Sequence, residues 1–103
     1  MLNLPNALFS ADSPALFPLG QVVATPGALA LLEEHQMDPF TFLNCHVHGD
    51  WGDALSFEDV EANNAALIQG ERLLSSYWLG KDKLWIISEW NRSVTTLLLP
   101  SEY

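Results

Sequence analysis

The residues best equipped for chemistry lie in one short run, Cys45-His46-Val47-His48-Gly49-Asp50-Trp51-Gly52-Asp53. His46, His48, Asp50 and Asp53 carry imidazole and carboxylate groups, the donors that zinc or a redox-active divalent ion takes. Their spacing follows no established metal motif. Residues two apart on a helix point about 200° apart, so His46 and His48 converge only where a helix has ended. The simpler reading is a helix C-terminus, where histidine complements the dipole, followed by a glycine-capped loop. No metal and no cofactor is expected on that reading. Cys45 beside His46 raises a thiol nucleophile, but sequence neighbours on a helix do not face each other. An activated thiol needs a base within hydrogen-bond reach, so an inert, buried cysteine is expected.

A second polar group is Glu89 and Arg92, with Thr95 and Thr96 just beyond. Together with Arg72 they are placed to form an ion-pair network across neighbouring strands. Such pairs are common and functionally silent; a binding role needs Arg92 exposed in a pocket beside Asp50 or Asp53. Trp51, between glycine and acids, either plugs the core or presents an aromatic anchor to a partner. The candidate binding set is therefore His46, Asp50, Trp51, Asp53, Glu89 and Arg92, and no catalytic residue is assigned. There is no phosphate-cradling glycine loop, no nucleophile elbow and no Cys-x-x-Cys pair.

The elements that must position these residues can be read from caps and periodicity. Residues 1–18, with Pro5, Pro14 and Pro18, read as an irregular arm that packs through Leu8, Phe9, Leu16 and Phe17. Leu19–Ala24 is a short strand. Thr25-Pro26 is an N-cap followed by proline at the first helical position, opening a helix to about His35 with Leu29, Leu31 and Leu32 inward. Asp38-Pro39 repeats the device, with Met37 and Phe42 at hydrophobic-staple spacing; that helix ends near His48 with Gly49 as its left-handed cap. Ser56 caps a third helix that runs to Gly70, with Glu58, Asp59 and Glu61 near the positive end of its dipole. At 100° per residue Phe57, Val60, Leu67 and Ile68 form its inward stripe, with Asn64 buried among them.

After Gly70 the hydrophobic period changes from 3.6 to 2. Arg72–Leu79, Lys83–Trp90 and Ser93–Leu99 are strands joined by turns too short for anything but antiparallel pairing. Leu84, Ile86 and Ser88 face one way on the middle strand, and Trp85, Ile87 and Glu89 the other. Both faces are apolar enough to need some cover. The expectation is an α+β domain over residues 19–103: a three- to four-stranded antiparallel meander with about three helices packed mainly on one face.

Composition bounds the function. The 103 residues suit one domain. Thirteen acids against four Lys and Arg give a net charge of −9, and residues 1–71 hold ten of the acids and no Lys or Arg. That argues against direct nucleic-acid binding, which draws its affinity from cations, and steers the chain toward basic surfaces. No apolar run approaches a membrane span, and the N-terminus lacks the basic region of a signal peptide. One cysteine fits a reducing, cytoplasmic setting.

Five segments, QVVATPGALALLEE, HGDWGD, EDVEANNAAL, RLLSSYWL and WIISEWNRSVTTLLLPSEY, together resemble a family of small bacterial proteins found on plasmids and integrated elements. Members carry descriptions such as "plasmid-related protein" and "type I restriction subunit M". The resemblance covers residues 19–103. The family pattern places a histidine at His46, the GDWG turn at Gly49–Gly52, an asparagine at Asn63, and an acid, Arg and Ser-x-Thr-Thr run at Glu89, Arg92, Ser93, Thr95 and Thr96. This chain departs from it at Cys45 and His48, which weakens the metal and thiol readings. The resemblance implies a mobile-element context and no chemistry; 103 residues cannot hold a methyltransferase fold.

The function expected is a non-enzymatic cytoplasmic accessory protein of a mobile element, acting by protein–protein contact. In one version it is an acidic anti-defence inhibitor whose carboxylates mimic DNA and occupy a basic nucleic-acid channel. The alternative is a small metal-dependent hydrolase or nuclease built on the HGDWGD turn with His46, Asp50, Asp53, Glu89 and Arg92. A homodimer is a third reading.

Overall fold

The computed structural model describes the backbone of residues 2–4 and all of residues 14–103. Among the described residues five strands and three helices follow in the order β1 (Leu2–Leu4), β2 (Gln21–Ala24), α1 (Pro26–Glu34), α2 (Pro39–Val47), α3 (Phe57–Gln69), β3 (Leu73–Leu79), β4 (Asp82–Ser88) and β5 (Val94–Leu98). A 3-10 turn, Pro100–Glu102, closes the chain. The α+β class is as expected, but the sheet is mixed, with strand order β1-β2-β5-β4-β3. β3, β4 and β5 form the antiparallel meander. β2 joins it parallel to β5, pairing Val22 with Thr95 and Ala24 with Leu97. The reason is the connection: between β2 and β5 the chain runs through three helices and then the β3–β4 hairpin, and so long a connection permits parallel strands where a tight turn does not.

The arm is also more regular than expected. Leu2–Leu4 is not irregular but an antiparallel partner of β2. Phe17 is buried as expected while Leu16 is exposed; Leu8 and Phe9 lie outside the described residues.

Each helix begins where its cap residue dictates. Thr25 Oγ1 accepts the Ala28 N–H at 3.2 Å, Asp38 accepts that of Phe40 at 2.9 Å, and Ser56 that of Asp59 at 3.2 Å. Each satisfies a donor that the first helical turn leaves unpaired. α3 stops at Gly70 in the left-handed conformation. The α1 N-terminus gains a further cap from the far end of the chain. Glu102 accepts from the Gly27 N–H at 3.1 Å and the Thr25 hydroxyl at 2.5 Å, and from the Leu99 N–H at 2.9 Å. Hydrogen bonding to the Thr25 hydroxyl, with the Leu99 and Gly27 amides, holds its carboxyl below the usual range.

The core lies between the helices and one sheet face. Leu31, Leu32, Leu43 and Val47 from the helices meet Val22, Leu73, Leu84, Ile86 and Leu97 from the strands, all buried. The other sheet face carries Trp85, Ile87, Leu98 and Glu89, and its cover includes Tyr103, whose ring meets Trp85 edge-on at 5.8 Å. Ile87 and Leu98 are buried there.

α3 is rotated from the expected orientation. Asn63 and Ala66 are its buried residues, and Phe57 and Ile68 point to solvent. Val60 and Leu67 of the expected stripe do pack against the core, but the helix is turned so that Asn63 and Ala66, rather than Phe57 and Ile68, complete the inward face.

Candidate functional site

His46 lies in the last turn of α2, fully buried against the sheet. Its Nδ1 is 2.5 Å from Ser75 Oγ on β3 and its Nε2 is 2.9 Å from Ser88 Oγ on β4. Ser88 Oγ is 2.7 Å from Thr95 Oγ1 on β5, and the Thr95 hydroxyl donates to the Leu19 carbonyl at 2.7 Å. The direction of the whole chain follows from that end. A carbonyl can only accept, so Thr95 spends its single proton there and must accept from Ser88. Ser88 then accepts from Nε2–H, and Nδ1 accepts from Ser75. His46 is therefore a neutral imidazole protonated on Nε2. Burial, and secondarily the Arg92 charge, lower its pKa to about 3. Phe17 and Trp51 close the pocket, both edge-on to the imidazole at 5.2 and 5.7 Å.

This is a core hydrogen-bond network, and every nitrogen of the ring is committed. Serines at the inward positions 75 and 88 are the part that sequence reasoning missed. Ser88 alternates onto the same face as the buried Leu84 and Ile86, and a hydroxyl there requires a buried partner. His48 faces elsewhere, its Nδ1 donating to the Asn44 carbonyl at 2.6 Å. Among the described residues no group of three or more His, Cys, Asp or Glu side chains is arranged to hold a metal ion.

The GDWGD turn is built against the free edge of β3. The Ser76 N–H donates to the Trp51 carbonyl at 2.9 Å, and the Ala54 N–H to the Ser76 carbonyl at 3.1 Å. Asp53 Oδ1 accepts the Trp78 N–H at 3.1 Å, and Asp50 Oδ1 accepts the Gly52 N–H at 3.3 Å. Gly52 is required by contact as well as conformation: its φ is +96°, and a Cβ there would lie 2.1 Å from the Ser76 carbonyl oxygen. Trp51 is buried, stacked on Phe17 at 6.3 Å with its indole N–H donating to Asn64 Oδ1 at 2.9 Å. It plugs the core and is not an exposed anchor. Asn64 is exposed rather than buried; Asn63 is the buried asparagine, and its amide clamps the backbone of Leu74.

Beside this turn is an open cleft of about 320 Å³ lined by Thr41, Cys45, Asp50, Asp53, Tyr77 and Trp78, among others. Burial, and then the Asp50 carboxylate, push the Cys45 thiol up, which disfavours the thiolate that nucleophilic chemistry needs. Burial pushes the Tyr77 phenol up as well, and its hydroxyl donates to the Asp50 carbonyl at 2.6 Å.

Glu89 and Arg92 belong to the β4–β5 turn. Glu89 pairs with Arg72 across the sheet at 3.6 Å, the partner expected. Arg92 has a φ of 57°, and its guanidinium donates to the backbone carbonyls of Glu71 and Glu89 at 2.6 and 2.9 Å while lying over the Phe17 ring. It does not line the cleft of Asp50 and Asp53. His46 points from α2 onto the helix-covered face of the sheet, and Glu89, the next residue after its partner Ser88, faces the opposite side of the sheet. The five residues of the hydrolase reading thus line no common cleft. Compared with family models, curated proteins and solved structures, the chain matches none.

Proposed function

We propose that this chain is a non-enzymatic accessory protein that acts by binding a basic surface of another protein. The observation that carries the reading is where the polar groups go. His46, Asp50, Trp51, Asp53 and Arg92 are engaged by the fold itself, whereas Glu33, Glu34, Glu58, Asp59 and Glu61 are exposed, in a stretch of 71 residues without a Lys or Arg. Such a surface raises the encounter rate with cationic partners and repels nucleic acid. The resemblance to plasmid and integrated-element proteins supports a role in which the partner is a nucleic-acid-binding protein of the host, its cationic channel covered by these carboxylates. Among the described residues no helix is long and apolar enough to cross a membrane.

The test is capture by the tagged full-length chain from a bacterial lysate, with the captured protein identified and repurified, followed by a salt titration of the purified pair. The reading expects a basic partner whose affinity falls steeply between about 50 and 200 mM salt, as contacts between exposed charges do. Failure to capture a partner, or binding indifferent to ionic strength, overturns it.

A further inference from the structure

The two most exposed large apolar side chains of the described residues lie on one helix: Phe57 is 72% and Ile68 86% exposed. Single exposed hydrophobics need no explanation. These two share a stripe. At 100° per residue Phe57, Glu61 and Ile68 fall within ~40° of one another, with Ala65 ~40° further on. The packed side of α3, marked by Val60, Asn63, Ala66 and Leu67, is centred ~130° round the helix from that stripe, with Val60 and Leu67 on its near border. Phe57 and Ile68 are eleven residues apart, about 16 Å along the axis at 1.5 Å per residue, which is the reach of an amphipathic helix laid in a groove.

We infer that the outer face of α3 is the docking surface, and that its occupant is an apolar groove of a partner protein with Lys or Arg on the rim that receives the first turn. This rests on the function proposed above and locates it. The charge of the stripe selects the occupant. Glu58, Asp59 and Glu61 stand at the start of the helix, Glu61 within ~40° of Phe57 on the same stripe, and α3 carries no cation of its own. The α3 face of a second copy is a poor occupant. Its α3 brings the same three acids, and the two arginines beyond its end are engaged, Arg72 with Glu89 and Tyr103 and Arg92 with the carbonyls of Glu71 and Glu89. A basic-rimmed groove takes both the apolar stripe and the acids.

The test uses the full-length chain with a photoreactive benzoylphenylalanine at Ala65 on the outer face of α3, or at Glu34 on α1, irradiated in the same lysate. It is paired with the Phe57→Ala/Ile68→Ala double variant and a Phe57→Leu/Ile68→Leu control. Both changes are at exposed positions, and an unchanged thermal midpoint shows that the fold is retained. The expected result is one adduct from position 65 with the protein captured in the pull-down, none from position 34, capture reduced at least tenfold in the alanine variant, and capture retained in the leucine control. If the alanine variant captures the same salt-sensitive partner as well as the unaltered chain does, the α3 surface is wrong and the basic-partner function stands. If nothing is captured, both fall. An adduct of twice the chain's own mass shows a second copy as the occupant and overturns the inference.

Discussion

The Asn63 side chain pairs with the backbone of Leu74 as another strand would: Oδ1 accepts the Leu74 N–H at 3.1 Å and Nδ2 donates to the Leu74 carbonyl. Two residues on, the Trp51–Ala54 loop takes both backbone groups of Ser76, and Asp53 takes the Trp78 N–H. β3 is an edge strand, and an open edge is a template for pairing with another chain. Here a helix side chain and the GDWGD turn close it. That is the structural office of the residues whose composition first suggested a metal or binding site.

Asn63→Asp tests this closure with an almost isosteric change. The Oδ1 acceptor remains, but an oxygen replaces the Nδ2 donor and faces the Leu74 carbonyl. The expected loss is about 2–4 kcal/mol, because a buried acceptor is orphaned beside a buried charge. Asn63→Ala should cost less, about 1–3 kcal/mol. Urea unfolding at neutral pH measures both, and the larger loss should come from Asp. Light scattering should also show concentration-dependent association in either variant as the edge opens.

His46 makes stability depend on pH. Its folded pKa is about 3 and an unfolded histidine titrates near 6.5. Between those values the unfolded chain binds more protons than the folded one, so stability rises with pH from about 3 to 6.5 and its contribution is flat above. The slope should reach about 1.4 kcal/mol per pH unit within that window. Unfolding measured at pH 7.0, 6.0 and 5.0 checks the direction, and His46→Gln, which does not titrate, should remove the part of the slope above pH 5. A chain that becomes more stable as the pH falls through this window would contradict a buried, neutral His46.

Two glycines with positive φ should respond differently to alanine. At Gly52 the new Cβ would lie 2.1 Å from the Ser76 carbonyl oxygen, whereas at Gly70 it meets nothing within 4 Å. Gly70→Ala therefore carries only the left-handed backbone strain, about 1 kcal/mol. Gly52→Ala adds a clash with backbone and should cost at least about 2 kcal/mol more, with the loop displaced from β3. Thermal midpoints of the two variants, measured side by side, decide this.

Glu102 ties the end of the chain to the start of α1. Its folded pKa is lowered, so its contribution is present above the unfolded value near 4.5 and is lost as pH falls through the folded one. Glu102→Gln should lower stability at pH 7 by less than about 1 kcal/mol, since solvent screens so exposed a carboxylate. The difference from the unaltered chain should vanish in acid, below the folded pKa.

Caps, turns and the change of period after Gly70 were legible in the chain because they are local. Thr25, Asp38 and Ser56 cap the first turns of their own helices, and Gly80 and Asn91 turn strands that are adjacent in sequence. Such features depend on residues three or four apart, or on a two-residue alternation, and the sequence states both. What only the tertiary structure decided is pairing across long separations. That β2 lies parallel beside β5 depends on where three helices return the chain to the sheet and on the meander that then brings β5 back to β2. That Asn63 rather than Asn64 is buried depends on the rotation of α3 against β3, a shift of one residue that the helical periodicity alone does not settle. The fate of CHVHGDWGD was decided in the same way. Its histidine is met by serines 29 and 42 residues away and its loop by an edge strand 25 residues on, so a run of residues that reads as a site is assembled in space as the seam that joins the helices to the sheet.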